Sequence, residues 1–355
     1  MTDAPTIREH FRRQADACRR LGSPFTGCLC DLVAERLSDE TRTGTRLLAW
    51  SGDPVEDGVA LRFAGALHAL VLLGKDAGLT SIYPPDGAVP PDDHGMWWVI
   101  EEALRAHDDF VYDWLNSAPQ TNEVARAAMI LPALMHLAKR FDLPLALYEV
   151  GASAGLTLQL MKFHYDFAGT RVGNAGSPVH LCPEVRTPPP LTGTLPEVIS
   201  RRGCDLNPLD TTHETDAMRL RSYLWPDQRT RHDRVNGAMA LYAAAPPAIE
   251  REDAAAWVAE ELDNRPENAI SVFYHTIVWQ YLPQDAKLVI QEALADAGSK
   301  TTPDAPLAFL GMEGYGNPDH ALVELTIWSD DAATDGRKIV LAHVDYHGRW
   351  IDWIG

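Results

Sequence analysis

Apolar residues recur at helical spacing through the first third of the chain. Ile7, Phe11, Ala15, Cys18 and Leu21 mark one face of a helix, because a 3.6-residue repeat brings positions three and four apart together. Gly22-Ser23-Pro24 breaks that pattern, and Leu29, Leu32, Val33 and Leu37 predict a second helix within residues 6–37. Residues 60–74 (ALRFAGALHALVLLG) predict a buried helix closed by Gly74, since glycine takes the left-handed conformation that ends a helix. A Pro-rich loop follows at Tyr83-Pro84-Pro85 and Pro90-Pro91, and residues 97–115 predict one amphipathic helix. No period-two alternation is visible here, so residues 1–118 are expected to form an all-helical domain.

The pattern changes beyond Pro119. Thr121 or Asn122 can cap a helix running through Val124, Ala128, Leu131 and Met135 to Arg140, with Pro132 as a kink. Leu145–Val150 is a continuous apolar run of strand length, and the small-residue turn Gly151-Ala152-Ser153-Ala154-Gly155 follows at once. LTLQLMKFHYDF after it predicts a helix, and the Pro-rich stretch from about 170 to 200 predicts an irregular insertion. Two helices fill 214–245, and Ala248–Asp253 is a short strand ending in acid. A helix at 254–262, a strand at 270–274, a helix at 283–297 and a strand at 307–311 then alternate. Ala321–Trp328 and Lys338–Val344, joined by the turn-rich SDDAATDG, predict an antiparallel hairpin. Alternating strands and helices predict an α/β domain over 119–355 with a mostly parallel, Rossmann-like sheet.

Composition narrows the function. A chain of 355 residues that is 46% hydrophobic can build a sizeable core. A net charge of −19 repels phosphate backbones and anionic lipid, which argues against nucleic acid and membrane partners. No apolar run is long enough to span a bilayer, and MTDAPTIREHFRRQ has no apolar signal core, so a cytoplasmic location is expected. Five cysteines, with Cys28-Leu29-Cys30 off any zinc spacing, point to reduced thiols and no metal site.

The chemistry concentrates at expected strand ends. A strand followed by small residues lets backbone pass close to a ligand, and a helix after it presents free amides and a positive dipole end. Glu149, Gly151, Ala152, Ser153 and Gly155 supply that turn with an acid before it, suited to a ligand ammonium. Asp205 and Asn207 lie at a second expected strand end, and Asp253 and Ala254 at a third. Either Asp205 holds a ligand hydroxyl or it caps the turn before Asn207-Pro208; either Asp253 binds ligand or it is a helix N-cap. Tyr274 and His275 end a fourth strand, and Glu313 a fifth. All three are candidate catalytic groups, with His275 as general base, although each fits a structural role too. Gln120, Asn122, Glu123 and Arg126 form a polar cluster before the first strand, either a solvated helix start or a substrate-binding edge.

The order of these features resembles class I S-adenosylmethionine-dependent methyltransferases, over roughly residues 120–355. That resemblance implies a three-layer Rossmann-like sandwich. It implies S-adenosylmethionine as cofactor, with Glu149–Gly155 at its methionine end, Asp205 at ribose and Asp253 at adenine. The stretch from Phe273 to Leu282-Pro283 is similar to that family's loop over the methyl group. The acceptor is then a small molecule or protein, chosen by a helical domain acting as a lid. Three features depart from the pattern: Ser153 replaces a glycine, the span from Gly155 to Asp205 is long, and no helix fits between Gly311 and Ala321. The whole chain also resembles an uncharacterised bacterial family, through QTNEVAR (120–126), EVGASAGLTL (149–158) and RRGCDLNPLD (201–210).

Two rival functions remain on the sequence. Gly151–Gly155 also matches G-x-S-x-G, the nucleophile elbow of α/β-hydrolases, with Ser153 as nucleophile, Asp253 as acid and His320 or His343 as base. The helical first third and the lack of a His-Gly-Gly segment count against it. The other rival is a binding protein without catalysis, which fold alone leaves open.

Overall fold

The computed structural model describes residues 4–84, 93–191, 193–329 and 335–355. The chain opens with α1 (Ala4–Arg20), α2 (Pro24–Arg36), α3 (Arg42–Leu48), α4 (Val59–Leu72), α5 (Ala77–Ile82), α6 (Asp93–Ala106) and α7 (Asp108–Trp114). α4 closes where Gly74 takes a positive φ and Lys75 N donates to Leu70 O, the termination expected from its glycine. The single helix expected over 97–115 is two helices, α6 and α7. Its break at His107 has a cause: the Asp108 carboxylate accepts Arg42 N (2.8 Å) and Thr43 N (2.9 Å), so it caps α3. The loop between Pro85 and Pro91 lies outside the described residues.

Then come α8 (Ala127–Phe141), β1 (Leu145–Val150), β2 (His164–Phe167), β3 (Thr170–Gly173), β4 (His180–Leu181), β5 (Glu184–Thr187) and β6 (Val198–Asp205). α9 (Glu214–Ser222), α10 (Arg229–Ala244), β7 (Ala248–Arg251), α11 (Ala254–Asp263) and β8 (Ile270–Thr276) follow. α12 (Gln284–Gly298), β9 (Leu307–Glu313), β10 (Ala321–Trp328), β11 (Arg337–Val344) and β12 (Trp350–Trp353) complete the chain. The chain divides into two compact units, Met1–Thr121 with His213–Asp233, and Asn122–Thr212 with Arg234–Gly355. The first is helical. It draws in 213–233 because Asp227 caps α2, accepting Phe25 N at 2.9 Å, and His68 Nδ1 meets Ser222 O at 3.1 Å.

The second unit is α/β, built on a sheet ordered β5-β12-β11-β10-β9-β8-β1-β6-β7 among the described residues. β7, β6, β1, β8 and β9 run parallel, while β10 and β11 form the expected antiparallel hairpin. β1 and β8 are buried along their whole lengths, which explains why their sequences are continuous apolar runs without alternation. Successive strands leave β1 in both directions, towards β6 and β7 and towards β8 and β9. The sheet therefore has a topological switch point between β1 and β8, where open α/β sheets bind ligands. Tyr148 and Phe273 stack at 4.5 Å against α11 and α12, where Trp257 is fully buried.

Three expectations are corrected. LTLQLMKFHYDF is a short 3₁₀ helix, Thr157–Lys162, then the strand β2. Phe163 turns extended, and burial of Tyr165 and Phe167 with His164 and Asp166 less covered is a period-two pattern. The insertion at 170–200 is not irregular throughout. β3, β2 and β4 form a separate small sheet, and β5 extends the edge of the main sheet beside β12. Neither Thr121 nor Asn122 caps α8; the Glu123 side chain instead accepts Ala125 N of a 3₁₀ turn, Val124–Arg126, that leads into it. Most of the SDDAATDG linker, residues 330–334, lies outside the described residues.

Trp257→Ala removes the largest fully buried side chain of this core. Urea unfolding is expected to show a loss of about 3–5 kcal/mol; a loss below about 1 kcal/mol would contradict this packing.

Candidate functional site at the carboxyl ends of the central strands

Glu149 is the penultimate residue of β1, in register with Gly203 of β6 and Tyr274 of β8. The turn after it folds back over Gly203: Ala152 N donates to Cys204 O at 2.9 Å, and a Cβ at residue 203 would meet Ala152 Cβ at 2.8 Å. Three alternate residues of the turn have positive φ, namely Gly151 (69°), Ser153 (53°) and Gly155 (63°). Ser153 therefore occupies a conformation that favours glycine, at a cost of about 1–2 kcal/mol. Asp205 compensates by accepting Ser153 N at 2.9 Å through one carboxylate oxygen and Asn207 N at 2.8 Å through the other. Leu209 N closes the arrangement on Ser153 O at 3.1 Å.

The space above the turn glycines is filled by the chain itself. A Cβ at Gly151 would meet Val278 at 2.6 Å, and one at Gly155 would meet Ile249 at 2.3 Å. No α-helix follows the turn, so the helix-dipole contribution expected there is missing. Polar side chains remain. Glu149 is 2% exposed, and its Oε2 makes no hydrogen bond among the described residues; the same holds for Ser153 Oγ and Tyr274 Oη. Burial pushes the Glu149 carboxyl up to about 8. The neighbouring Tyr274 hydroxyl opposes this without closing a hydrogen bond, the Asp205 charge adds to it, and Arg126 opposes it.

The other sequence candidates divide. Asn122 reaches the turn: its Oδ1 accepts Leu156 N at 2.7 Å and its Nδ2 donates to Thr157 Oγ1 at 3.3 Å. Arg126 donates to the backbone carbonyls of Tyr346 and Thr276, both at 3.0 Å, so it ties elements together. Glu123 caps its own turn and lies 3.8 Å from Arg234. Gln120 belongs to the helical unit. Asp253 is the N-cap of α11, where its Oδ1 accepts Ala255 N at 2.9 Å and Ala256 N at 3.3 Å; Ala254 is the first residue of that helix. Asn207 Oδ1 accepts from Arg251 at 2.9 Å.

His275 and Glu313 meet each other, but on the opposite face of the sheet from Glu149 and Tyr274, because strand residues alternate in direction. His275 Nδ1 lies 3.0 Å from Glu313 Oε1, which also accepts Val278 N (2.6 Å) and Trp279 N (2.7 Å). Glu313 thus fixes both the imidazole and the loop that covers Gly151. Val278 and this anchoring role had no signal in the linear sequence, since Glu313 is 38 residues from His275. Among the described residues no group of three His, Cys, Asp or Glu side chains is placed to hold a metal ion, and no helix is long and apolar enough to cross a membrane.

Residues 8–353 match the family described as "Uncharacterized protein conserved in bacteria (DUF2332)". The chain belongs to the DUF2332 family. No curated protein and no solved structure matches it. In this DUF2332 chain the match spans both units, so the helical segment and the α/β unit belong to one family sequence.

Two measurements probe the turn. Asp205→Ala leaves two backbone amides without acceptors and should cost about 2–3 kcal/mol in urea unfolding; an unchanged midpoint would contradict the anchoring role. Glu149 has a folded pKa above its usual value, so its contribution to stability is intact in acid and is lost as pH rises from about 4.5 to about 8. Glu149→Gln should therefore unfold later than the parent chain at pH 9 and show no such advantage at pH 4. Equal differences at both pH values would contradict the burial of this carboxyl.

Proposed function

We propose that this protein binds S-adenosylmethionine at the turn Gly151–Gly155 and is a methyltransferase acting on a small-molecule acceptor. The observation that carries this reading is the buried Glu149 carboxyl with an unpartnered oxygen, beside the switch point of a Rossmann-like sheet. A buried acid of raised pKa is stabilised by a cationic ligand, which supplies the charge that its surroundings lack. Ser153 Oγ and Tyr274 Oη add two unpartnered groups to the same edge, so the donor set fits the polar end of an amino-acid-like ligand. The filled space above Gly151 and Gly155 leaves recognition to these side chains.

Glu149 would hold the ligand ammonium. Asp205 has both oxygens engaged by amides, so its part is to hold the turn. Asp253 caps α11 through Oδ1 alone, which leaves Oδ2 for a ribose hydroxyl or the adenine amino group. The cofactor supplies a methyl group already activated by its sulfonium, and the protein's task is alignment. His275 and Glu313 face away from Glu149, so no proton transfer in this reaction is assigned to them. Ser153 Oγ has no hydrogen-bonded base among the described residues, which favours the cofactor reading over the serine-hydrolase alternative.

Calorimetric titration with S-adenosylmethionine and S-adenosylhomocysteine tests this. At pH 7 binding should release close to one proton, seen as a dependence of the heat on buffer ionisation. Affinity should rise with pH up to about 8, by at most about tenfold per unit. Glu149→Gln should abolish the proton release and weaken binding about tenfold or more. No binding of either ligand at about 1 mM would overturn the proposal.

A further inference from the structure

On the α12 side of the sheet, away from Glu149, lies a cavity of about 300 Å³ lined in part by His275, Gly311 and Glu324. These three residues form one row across β8, β9 and β10: His275 is in register with Gly311, and Gly311 with Glu324. Adjacent strands are about 4.8 Å apart, so the outer two backbones are about 10 Å apart, and the middle strand contributes no side chain to the row. Gly311 is required for this arrangement, because a Cβ there would meet the imidazole Cε1 and Nε2 at 3.0 Å. The missing side chain gives the imidazole its place on the cavity wall.

Both ends of the row present an acceptor. Glu313 Oε1 lies 3.0 Å from His275 Nδ1, and in the neutral imidazole whose Nδ1 proton points there Nε2 carries the lone pair. No protein group among the described residues hydrogen-bonds it. Glu324 is 8% exposed, and its Oε2 accepts from Tyr315 Oη and from Lys338 Nζ (3.1 Å). Its Oε1 has no hydrogen-bond partner among the described residues. Trp279, Phe309 and Trp328 supply aromatic wall, with Trp279 stacked on His275 at 5.0 Å between ring centres.

We propose that this cavity is a binding site for a small organic ammonium ion bearing an aromatic or similarly flat apolar body. Its N–H groups donate to Glu324 and His275, and its charge lies among aromatic faces, which attract cations. The volume suits a ligand at the small end of the usual pocket range. The Glu324 carboxylate favours a cation over an anion, and Lys338 on the same wall is the group with which that cation competes. The site is separate from the S-adenosylmethionine reading and stands or falls without it.

The probes are tryptamine and phenethylamine, with indole as the uncharged control, titrated calorimetrically into the full chain. Tryptamine should bind at least about tenfold more tightly than indole. Glu324→Gln should weaken tryptamine about tenfold and leave indole unchanged. Lys338→Met removes the competing cation at the rim and should strengthen tryptamine, a readout that survives if the Glu324 variant does not fold. Gly311→Ala should weaken all three probes by crowding the imidazole. Equal binding of tryptamine and indole, weaker tryptamine binding in Lys338→Met, or no binding of either amine up to about 10 mM would overturn the assignment.

Discussion

The Asp205 carboxylate, shared between the amides of Ser153 and Asn207, is the interaction on which the functional edge of the sheet depends. The two hydrogen bonds, one part-buried and one exposed, are together worth about 2–3 kcal/mol, which exceeds the cost of placing a serine in the left-handed region. They lock the turn after β1 to the end of β6. The turn can then lie flat on Gly203 and bring Val278 down on Gly151. With its neighbours packed this closely, the carboxyl group of Glu149 is left dry, and its pKa rises.

Alternation along the strands sorts the ionisable groups by face. Glu149 and Tyr274 share one face; His275, Glu313 and Glu324 share the other. Glu313 bridges the two by accepting the amides of the loop that carries Val278. The same carboxylate therefore orients an imidazole on one side of the sheet and shapes the turn on the other. A sequence that places Tyr274 next to His275 gives no hint that their side chains serve different surroundings.

The sequence revealed those elements whose signal is local. The apolar runs at 145–150 and 270–274, the glycine stop after α4 and the paired strands β10 and β11 were legible because burial and turn chemistry are written in neighbouring residues. The break at His107 was not, because it depends on Asp108 reaching α3 some 65 residues away. The partner of the Leu156 amide was hidden in the same way, since Asn122 reaches it from 34 residues away. The candidate site divides along this line. Glu149 and Ser153 stood out in one short motif, whereas the anchoring role of Asp205, the His275–Glu313 pair and the vacancy at Gly311 arise only when separate strands align.

The most direct test is the titration of the Glu149 side chain itself, followed by carbon-13 carboxyl NMR with and without S-adenosylmethionine, using Glu149→Gln for assignment. The expected midpoint is about 8 in the free protein, moving to lower pH when the ligand binds. A midpoint in the ordinary carboxylate range would contradict the dry environment of this acid, and one that S-adenosylmethionine leaves unmoved would contradict its place at the centre of the site.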